Sequence, residues 1–101
     1  MTPKQRRQRF EALERFGCLV CWIEHGCHTP AEIHHLKGHR WAGMGKRASD
    51  AHTIPLCTVH HRHGGSGEVG YHQSPAEFEE RYGTQGELLD IVNEWLDRRA
   101  A

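Results

Sequence analysis

The sequence lacks a long hydrophobic run, and only 37% of its 101 residues are hydrophobic. A core built from so few apolar residues is small and needs a further source of stability. No stretch approaches the roughly 18 apolar residues of a membrane span, and the basic N-terminus is not followed by the apolar segment of a signal peptide. We therefore expect a cytoplasmic protein with no membrane partner, in which disulfides are the less favoured use of the four cysteines.

Internal repeats and low-complexity linkers are absent as well, which predicts one domain over residues 1–101. The 13 basic and 13 acidic residues cancel, but they are unevenly distributed. Residues 1–63 carry ten basic and five acidic side chains, a net charge of +5, whereas residues 74–101 carry three and seven, a net charge of −4. The basic first part favours a polyanionic partner.

A basic helix is predicted at the N-terminus, over residues 1–17. Thr2, Pro3 and Gln5 match the pattern of an N-cap, a first helical position and a capping box, and Gly17 suits the end of the helix. The basic side chains of this helix, which either face solvent or contact DNA, are Arg6, Arg7 and Arg9.

The middle of the chain, residues 18–63, predicts the centre of a small α+β fold. Short apolar runs bounded by glycine and proline predict strands rather than helices here. The expected elements are a knuckle-like loop over 18–30, strands over 31–36 and 52–56, a long glycine-containing loop over 37–51, and a helix beginning within 57–63.

Two further helices are predicted over residues 74–99. The first begins with Ser74 as cap, followed by Pro75 and the capping-box Glu77, and the second opens at Thr84. The last helix carries an apolar stripe that packs against the core or, in the alternative, forms an oligomer contact. The stripe consists of Leu88, Ile91, Val92, Trp95 and Leu96.

Two pairs of soft ligands predict a structural zinc site. The pairs are Cys18-x-x-Cys21 and Cys57-x-x-His60, and each can place two ligands on one tight turn. The alternatives are that Cys27 or His28 replaces one ligand, or that the cysteines form a disulfide. Zinc would supply folding energy that the small core lacks.

All ten histidines lie between His25 and His72, and several fall where strands are predicted to end. Phosphodiester cleavage needs a base that activates water, a cation that neutralises charge on the phosphate, and a group that orients the base. His34 and His35 end the first predicted strand, and His61 follows the second zinc pair. Adjacent strand residues point to opposite faces, so His34 and His35 are expected to have different roles.

Taken in order, these residues resemble a known family. Cys18-x-x-Cys21, His34-His35 and Ile54-Pro55-Leu56-Cys57-Thr58-Val59-His60-His61 are similar to the HNH endonuclease motif, a ββα-metal fold often held by a zinc site. Residues 34–83 resemble more narrowly the phage recombination-enhancement (Ref-type) nucleases, in which a host recombinase filament directs cutting. The resemblance covers roughly residues 18–96. It implies a zinc-stapled ββα-metal core with flanking helices, DNA and a recombinase filament as partners, a bacterial or phage-infected host, and a role in DNA recombination.

The resemblance also implies a role for each matching histidine. His34 takes the place of a metal ligand, and His35 takes that of the general base. His61 takes the place of the last metal ligand, and His52 that of an Asn which orients the base or its loop. The implied catalytic residues are therefore His35 and His52, beside a divalent cation.

Two of these positions depart from the family pattern, since His34 replaces a carboxylate and His52 replaces Asn. The expected catalytic ion is Mg²⁺, Mn²⁺ or another transition metal, and the nitrogen ligands favour Mn, Co, Ni or Zn over Mg. His72 is a further candidate ligand or else a surface residue. His39 and His63 either approach the site or stay exposed.

A group of basic side chains in the loop over 37–51 is predicted to bind DNA. Such a loop lies beside the active site in the ββα-metal fold, where it grips phosphates without reading sequence. The group consists of Lys37, Arg40, Lys46 and Arg47. Trp41, among them, either wedges against a sugar or base or caps the core.

Two functions follow from these residues. The first is a metal-dependent DNA endonuclease in which His35 deprotonates water and His34 and His61 hold the ion. The alternative is a non-catalytic zinc-stapled module that binds DNA or a recombinase.

Overall fold

A computed structural model describes residues 1–43 and 45–100, so Met44 of the predicted loop lies outside the described residues. The protein is a small α+β fold, as the sequence predicts. In chain order its elements are α1 (Pro3–Phe16), α2 (Leu19–His25), β1 (Glu32–His35), β2 (Thr53–Leu56), a π-helical turn (Val59–His63), α3 (Pro75–Tyr82) and α4 (Gln85–Ala100).

The two strands form an antiparallel pair that brings the two halves of the predicted zinc site together. Glu32 lies opposite Leu56, and His35 lies opposite Thr53. The start of β1 is therefore next to the end of β2, where Cys57 follows. The N–H of Cys18 donates to the carbonyl of Thr29 at 2.8 Å, which ties the first cysteine pair to the same end of the sheet.

Helix α1 begins and ends as predicted. The Thr2 hydroxyl accepts a hydrogen bond from the Gln5 N–H at 3.1 Å, and the Thr2 N–H donates to Gln5 Oε1 at 2.8 Å, which completes the capping box. Gly17 ends the helix with a φ of +81°, and a Cβ there would lie 2.8 Å from the Thr29 carbonyl. Only glycine therefore fits this turn without strain.

The knuckle-like loop predicted over 18–30 is wrong in part, because residues Leu19–His25 form helix α2. Leu19 and Val20 are fully buried, so packing on the core stabilises a helical turn that the glycine and proline content did not suggest. Cys18 caps this helix, since its sulfur accepts a hydrogen bond from the Cys21 N–H at 3.5 Å.

The C-terminal helices form at the predicted positions, but their caps differ. Thr84 and Glu87 form a reciprocal capping box, with bonds of 3.0 and 3.1 Å. The Ser74 side chain makes no capping bond within the described ranges, and its carbonyl instead accepts from the Phe78 N–H at 2.9 Å. The capping box expected at Glu77 is therefore absent from this part of the structure.

The core lies between the sheet and helices α1, α2 and α4. The apolar stripe of α4 packs on it, as the first of the two interpretations predicts, although Ile91 is 40% exposed. The largest fully buried apolar side chains are Phe78, Leu13, Leu19, Leu36, Ile54, Leu56, Leu88, Val20 and Val92. Over residues 1–43 and 45–100, each helix is too short or too polar to cross a bilayer.

Candidate metal centres

The predicted zinc ligands converge into a buried Cys₃His cluster. Cys18, Cys21, Cys57 and His60 are all buried, and their ligand atoms lie together. Cys21 Sγ is 3.8 Å from Cys57 Sγ. The His60 Nδ1 atom is 3.6 Å from the sulfur of Cys18, 3.5 Å from that of Cys21 and 3.4 Å from that of Cys57.

These distances fit a tetrahedral zinc ion. Zn–S bonds of about 2.3 Å and Zn–N bonds of about 2.0–2.1 Å at tetrahedral angles imply S···S distances of about 3.8 Å and S···N distances of about 3.6 Å. The atoms of the Cys₃His cluster match both values. The cluster can therefore hold a metal such as zinc without rearrangement.

The alternative ligands and the disulfide do not take part in this cluster. All four cysteines are free thiols. Cys27 is exposed, and its sulfur lies 3.8 Å from the Cys21 carbonyl rather than among the ligands. The ring of His28 lies against Gly17.

Burial makes two thiols of the cluster harder to deprotonate. It raises the pKa of Cys18 to about 12 and also raises the pKa of Cys21. Both groups therefore keep their protons at neutral pH unless a metal displaces them. Metal binding at this cluster would therefore release protons and depend on pH.

Glu68 fixes the ring orientation of the histidine in the cluster. Its Oε1 atom lies 2.9 Å from His60 Nε2 and 3.1 Å from His25 Nε2. Hydrogen bonds from His25 and His60 lower the pKa of Glu68, so the group is a carboxylate. A proton held on His60 Nε2 leaves Nδ1 free to bind metal.

A second cluster, here called the histidine trio, consists of His34, His61 and His72. Their ligand atoms lie within 4.8 Å of one another, with His34 and His61 buried and His72 exposed. His61 Nε2 is 3.2 Å from His72 Nε2. For an ion about 2.1 Å from both nitrogens, the N–ion–N angle would be about 100°, which tetrahedral and octahedral coordination both accommodate.

The chain after the π-helical turn brings His72 back to the trio. The Tyr71 N–H donates to the His60 carbonyl at 2.8 Å, and the His72 N–H donates to the His61 carbonyl at 3.0 Å. A Cβ at Gly70 would lie 2.6 Å from the backbone of Arg62, so glycine permits this close approach. The fold thus places His72, a predicted candidate ligand, beside His34 and His61.

The buried histidines of the trio have polar partners on their outer nitrogens. His61 Nδ1 lies 2.9 Å from Glu32 Oε1, and the hydrogen bond from His61 lowers the pKa of this carboxyl group. His34 Nε2 lies 3.0 Å from Gln85 Oε1. Burial lowers the pKa of His34 to about 4, so its ring is neutral at neutral pH and can bind a cation.

His35 lies on the face of β1 opposite the trio, as strand alternation predicts. Its Nε2 atom is 2.8 Å from Asp50 Oδ1, and its ring packs edge-on against Phe10. His52, predicted to orient the base or its loop, packs against Trp41 of the loop over 37–51, with ring centroids 5.2 Å apart. The side chain that contacts His35 Nε2 is the carboxylate of Asp50, which the sequence did not single out.

The basic loop is exposed, as a DNA-binding surface requires. Its four predicted contact residues Lys37, Arg40, Lys46 and Arg47 all face solvent. Trp41 packs against the hydrophobic core, and the Arg40 guanidinium lies 4.5 Å from its ring centroid. The indole therefore caps the core. His39 and His63 are exposed and belong to neither metal cluster.

A family model described as a protein of unknown function (DUF968) matches residues 1–99. The chain belongs to the DUF968 family. It is also similar to the uncharacterized protein YdfU of Escherichia coli (strain K12), with 34% identity over 104 residues. The match covers 98% of this chain and 25% of YdfU, so the chain spans a quarter of the length of that curated relative.

Sequence reasoning missed the polar partners of the histidines in this DUF968 chain. Glu32 was detectable, because it lies two residues before His34 on β1 and so shares its face. Asp50, Glu68 and Gln85 carried no such signal. They lie in loops or at the start of a helix, and only the tertiary fold brings them next to their histidines.

Proposed function

We propose that this DUF968 chain is a metal-dependent DNA endonuclease of the HNH type. The Cys₃His cluster would hold structural zinc, and the histidine trio would hold a second divalent cation. The observation that carries the proposal is the trio itself, in which three imidazoles from β1, the π-helical turn and the segment after it converge beside the zinc cluster.

The chemistry of the trio favours a catalytic rather than a structural ion. Three protein ligands would leave coordination positions open on a bound ion, and His72, the exposed member of the trio, would leave them accessible to solvent. A divalent cation at this position supplies charge neutralisation on a phosphate. Three nitrogen ligands favour Mn, Co, Ni or Zn over Mg.

His35 is the proposed general base, with Asp50 as the residue that orients it. In the proposed step a water oxygen forms a bond to phosphorus, and the bond from phosphorus to the 3′-oxygen breaks. His35 accepts the proton that the water loses, and the leaving oxygen gains a proton from solvent. Because His35 is the last residue of β1, the proposal requires the scissile phosphate to lie at this end of the strand.

The proposed substrate is DNA bound mainly through its phosphates. The exposed basic loop supports this choice, since lysine and arginine contacts to phosphate give affinity without sequence readout. We propose binding without sequence-specific readout, because the basic side chains that support the proposal would contact phosphates rather than base edges. A recombinase filament stays a proposed partner on the Ref-type resemblance alone.

One observation favours the alternative of a non-catalytic binding module. The His35 ring is directed to Asp50 and Phe10, away from the trio. In a binding module this pair would stabilise the fold and the trio would hold a structural ion. DNA binding would then be independent of the second cation.

A plasmid-nicking assay tests the proposal. Protein that retains its tightly bound zinc is titrated with Mg²⁺, Mn²⁺, Co²⁺ and Ni²⁺ on bare and recombinase-coated supercoiled DNA. We expect nicking by the wild type and its loss in both His35→Ala and His61→Ala, while the exposed His39→Ala retains it. Wild-type nicking by His35→Ala would overturn the role of the base. No nicking on either substrate with any ion would overturn the nuclease assignment and leave the binding module.

A further inference from the structure

We infer that Gln85, the first residue of α4, is a positioning residue that sets the tautomer of His34 and makes Nδ1 its metal-binding atom. Gln85 is distant from His34 in sequence and belongs to none of the predicted sites. The inference rests on the second metal site of the proposed function, but it does not depend on DNA cleavage.

The orientation of the Gln85 amide is fixed by the backbone of Lys37. Gln85 Oε1 accepts a hydrogen bond from the Lys37 N–H at 2.9 Å, and Gln85 Nε2 donates to the Lys37 carbonyl at 2.9 Å. A backbone N–H only donates and a carbonyl only accepts, so exchanging the amide oxygen and nitrogen would break both bonds. The atom that faces His34 is therefore an oxygen.

This oxygen determines which nitrogen of His34 carries the proton. His34 Nε2 lies 3.0 Å from Gln85 Oε1, and since the oxygen can only accept, Nε2 must donate. A neutral imidazole protonated on Nε2 has its lone pair on Nδ1. Within residues 1–43 and 45–100 this buried Nδ1 atom has no hydrogen-bond partner. A buried lone pair beside two other imidazoles is the arrangement that a cation would satisfy.

Gln85 is itself held rigidly enough to act in this way. Its side chain is buried, with the residue only 5% exposed. Its backbone N–H donates to Glu79 Oε2 at 3.1 Å, so α3 and α4 both anchor it. Lys37 begins the basic loop, and the same amide therefore links the trio to the surface proposed to bind DNA.

Metal titration of zinc-loaded protein tests the inference without using activity. Binding of Co²⁺ or Mn²⁺ to the trio is measured by calorimetry in the wild type, Gln85→Met and Gln85→Glu. Met is close to Gln in size but offers no amide, so we expect affinity at the trio to fall about 10- to 100-fold, as for other outer-sphere partners. Glu keeps an acceptor for His34 Nε2 but offers no donor to the Lys37 carbonyl, so Gln85→Glu should retain more of the affinity than Gln85→Met.

A matched variant separates this effect from loss of stability. Val92→Ala removes buried apolar volume from the same helix without touching the amide, and it should leave affinity at the trio unchanged below its unfolding temperature. Nitrogen-15 NMR of the protein with an empty trio should show His34 protonated on Nε2 in the wild type and a mixture of tautomers in Gln85→Met.

The outcomes distinguish the existence of the second metal site from the role of Gln85. Absence of a second bound cation in the wild type would overturn the proposed metal site. Wild-type affinity in a folded Gln85→Met, or an equal loss in Val92→Ala, would overturn the role of Gln85 and leave the site intact. A selective loss in Gln85→Met that is smaller in Gln85→Glu would support it.

Discussion

His35 Nε2 and Asp50 Oδ1 are 2.8 Å apart, joining the end of β1 to the loop that precedes β2. Asp50 also faces Arg47, whose guanidinium nitrogen is 3.6 Å away, and lies within the field of Arg6. The hydrogen bond from His35 is the main cause that lowers the pKa of Asp50. The carboxylate is thus stabilised by groups from α1, β1 and its own loop.

This pair predicts a pH-dependent contribution to stability. A carboxyl group whose pKa is lower in the folded state stabilises the fold above its unfolded pKa of about 3.9, and the stabilisation disappears as the pH falls through the folded pKa. Asp50→Asn should therefore lower the free energy of unfolding at pH 7 by about 1 kcal/mol, since the pair is partly exposed. The difference from wild type should shrink below about pH 4.

Denaturant unfolding at a series of pH values measures this difference. Asp90→Asn, a change at an exposed position of α4, serves as the control and should follow the wild type throughout. A deficit of Asp50→Asn that stays constant down to pH 3 would show that lost packing, rather than the charge of Asp50, causes the effect.

The local features of the fold were predictable because they depend on residues that are close together in the sequence. The capping box of Thr2 and Gln5 needs only residues three apart, and the pair Cys57-x-x-His60 needs only one turn. Antiparallel pairing of two short strands then brings the cysteine pairs together. The convergence of the zinc ligands follows from these steps without further information.

The features that were missed depend on tertiary packing. Helix α2 forms because Leu19 and Val20 reach the core, which the composition of residues 18–30 does not reveal. Asp50 is the partner of His35 Nε2 because the loop before β2 brings its carboxylate to the end of β1, while the His52 ring packs against Trp41. No periodicity encodes such contacts, since each joins residues from separate elements.

The Cys₃His cluster predicts that folding requires metal. Cys57→Ser removes one buried ligand, so we expect loss of bound zinc and loss of cooperative thermal unfolding, as typical of structural zinc sites. Elemental analysis and circular dichroism measure the two properties. A strong chelator should produce the same loss in the wild type.

Cys27→Ser is the matched control for this change. It alters the same atom in an exposed cysteine outside the cluster, so zinc content and unfolding temperature should equal those of the wild type. If Cys57→Ser kept one zinc ion and a wild-type unfolding temperature, the cluster would not be the structural site.

Arg9, one of the basic residues of α1, is expected to stabilise the fold. Its guanidinium donates to Thr53 Oγ1 at 2.8 Å, to the Thr53 carbonyl at 2.7 Å and to Asn93 Oδ1 at 2.9 Å. It thus ties α1 to β2 and α4. Arg9→Met should lower the free energy of unfolding by about 2 kcal/mol, because charged hydrogen bonds are lost and the Thr53 groups stay buried.

Arg7→Met makes the same chemical change on the exposed face of α1. Denaturant unfolding should place it within about 0.5 kcal/mol of the wild type. Equal destabilisation by both variants would mean that the loss of helix propensity or charge, and not the bonds to Thr53 and Asn93, explains the result.

The exposed basic loop predicts a specific salt dependence of DNA binding. Each phosphate contact contributes about 0.9 to the slope of the logarithm of the binding constant against the logarithm of salt concentration. If Lys46 and Arg47 each contact a phosphate, Lys46→Ala combined with Arg47→Ala should lower the magnitude of the slope by about 1.8. Fluorescence anisotropy with a labelled duplex at several salt concentrations measures this slope.

Arg98→Ala is the control, because it removes an exposed charge from the acidic C-terminal part and should leave the slope unchanged. A slope that is insensitive to the double change would place the DNA on another face, because the loss of two phosphate contacts would reduce the number of released counterions.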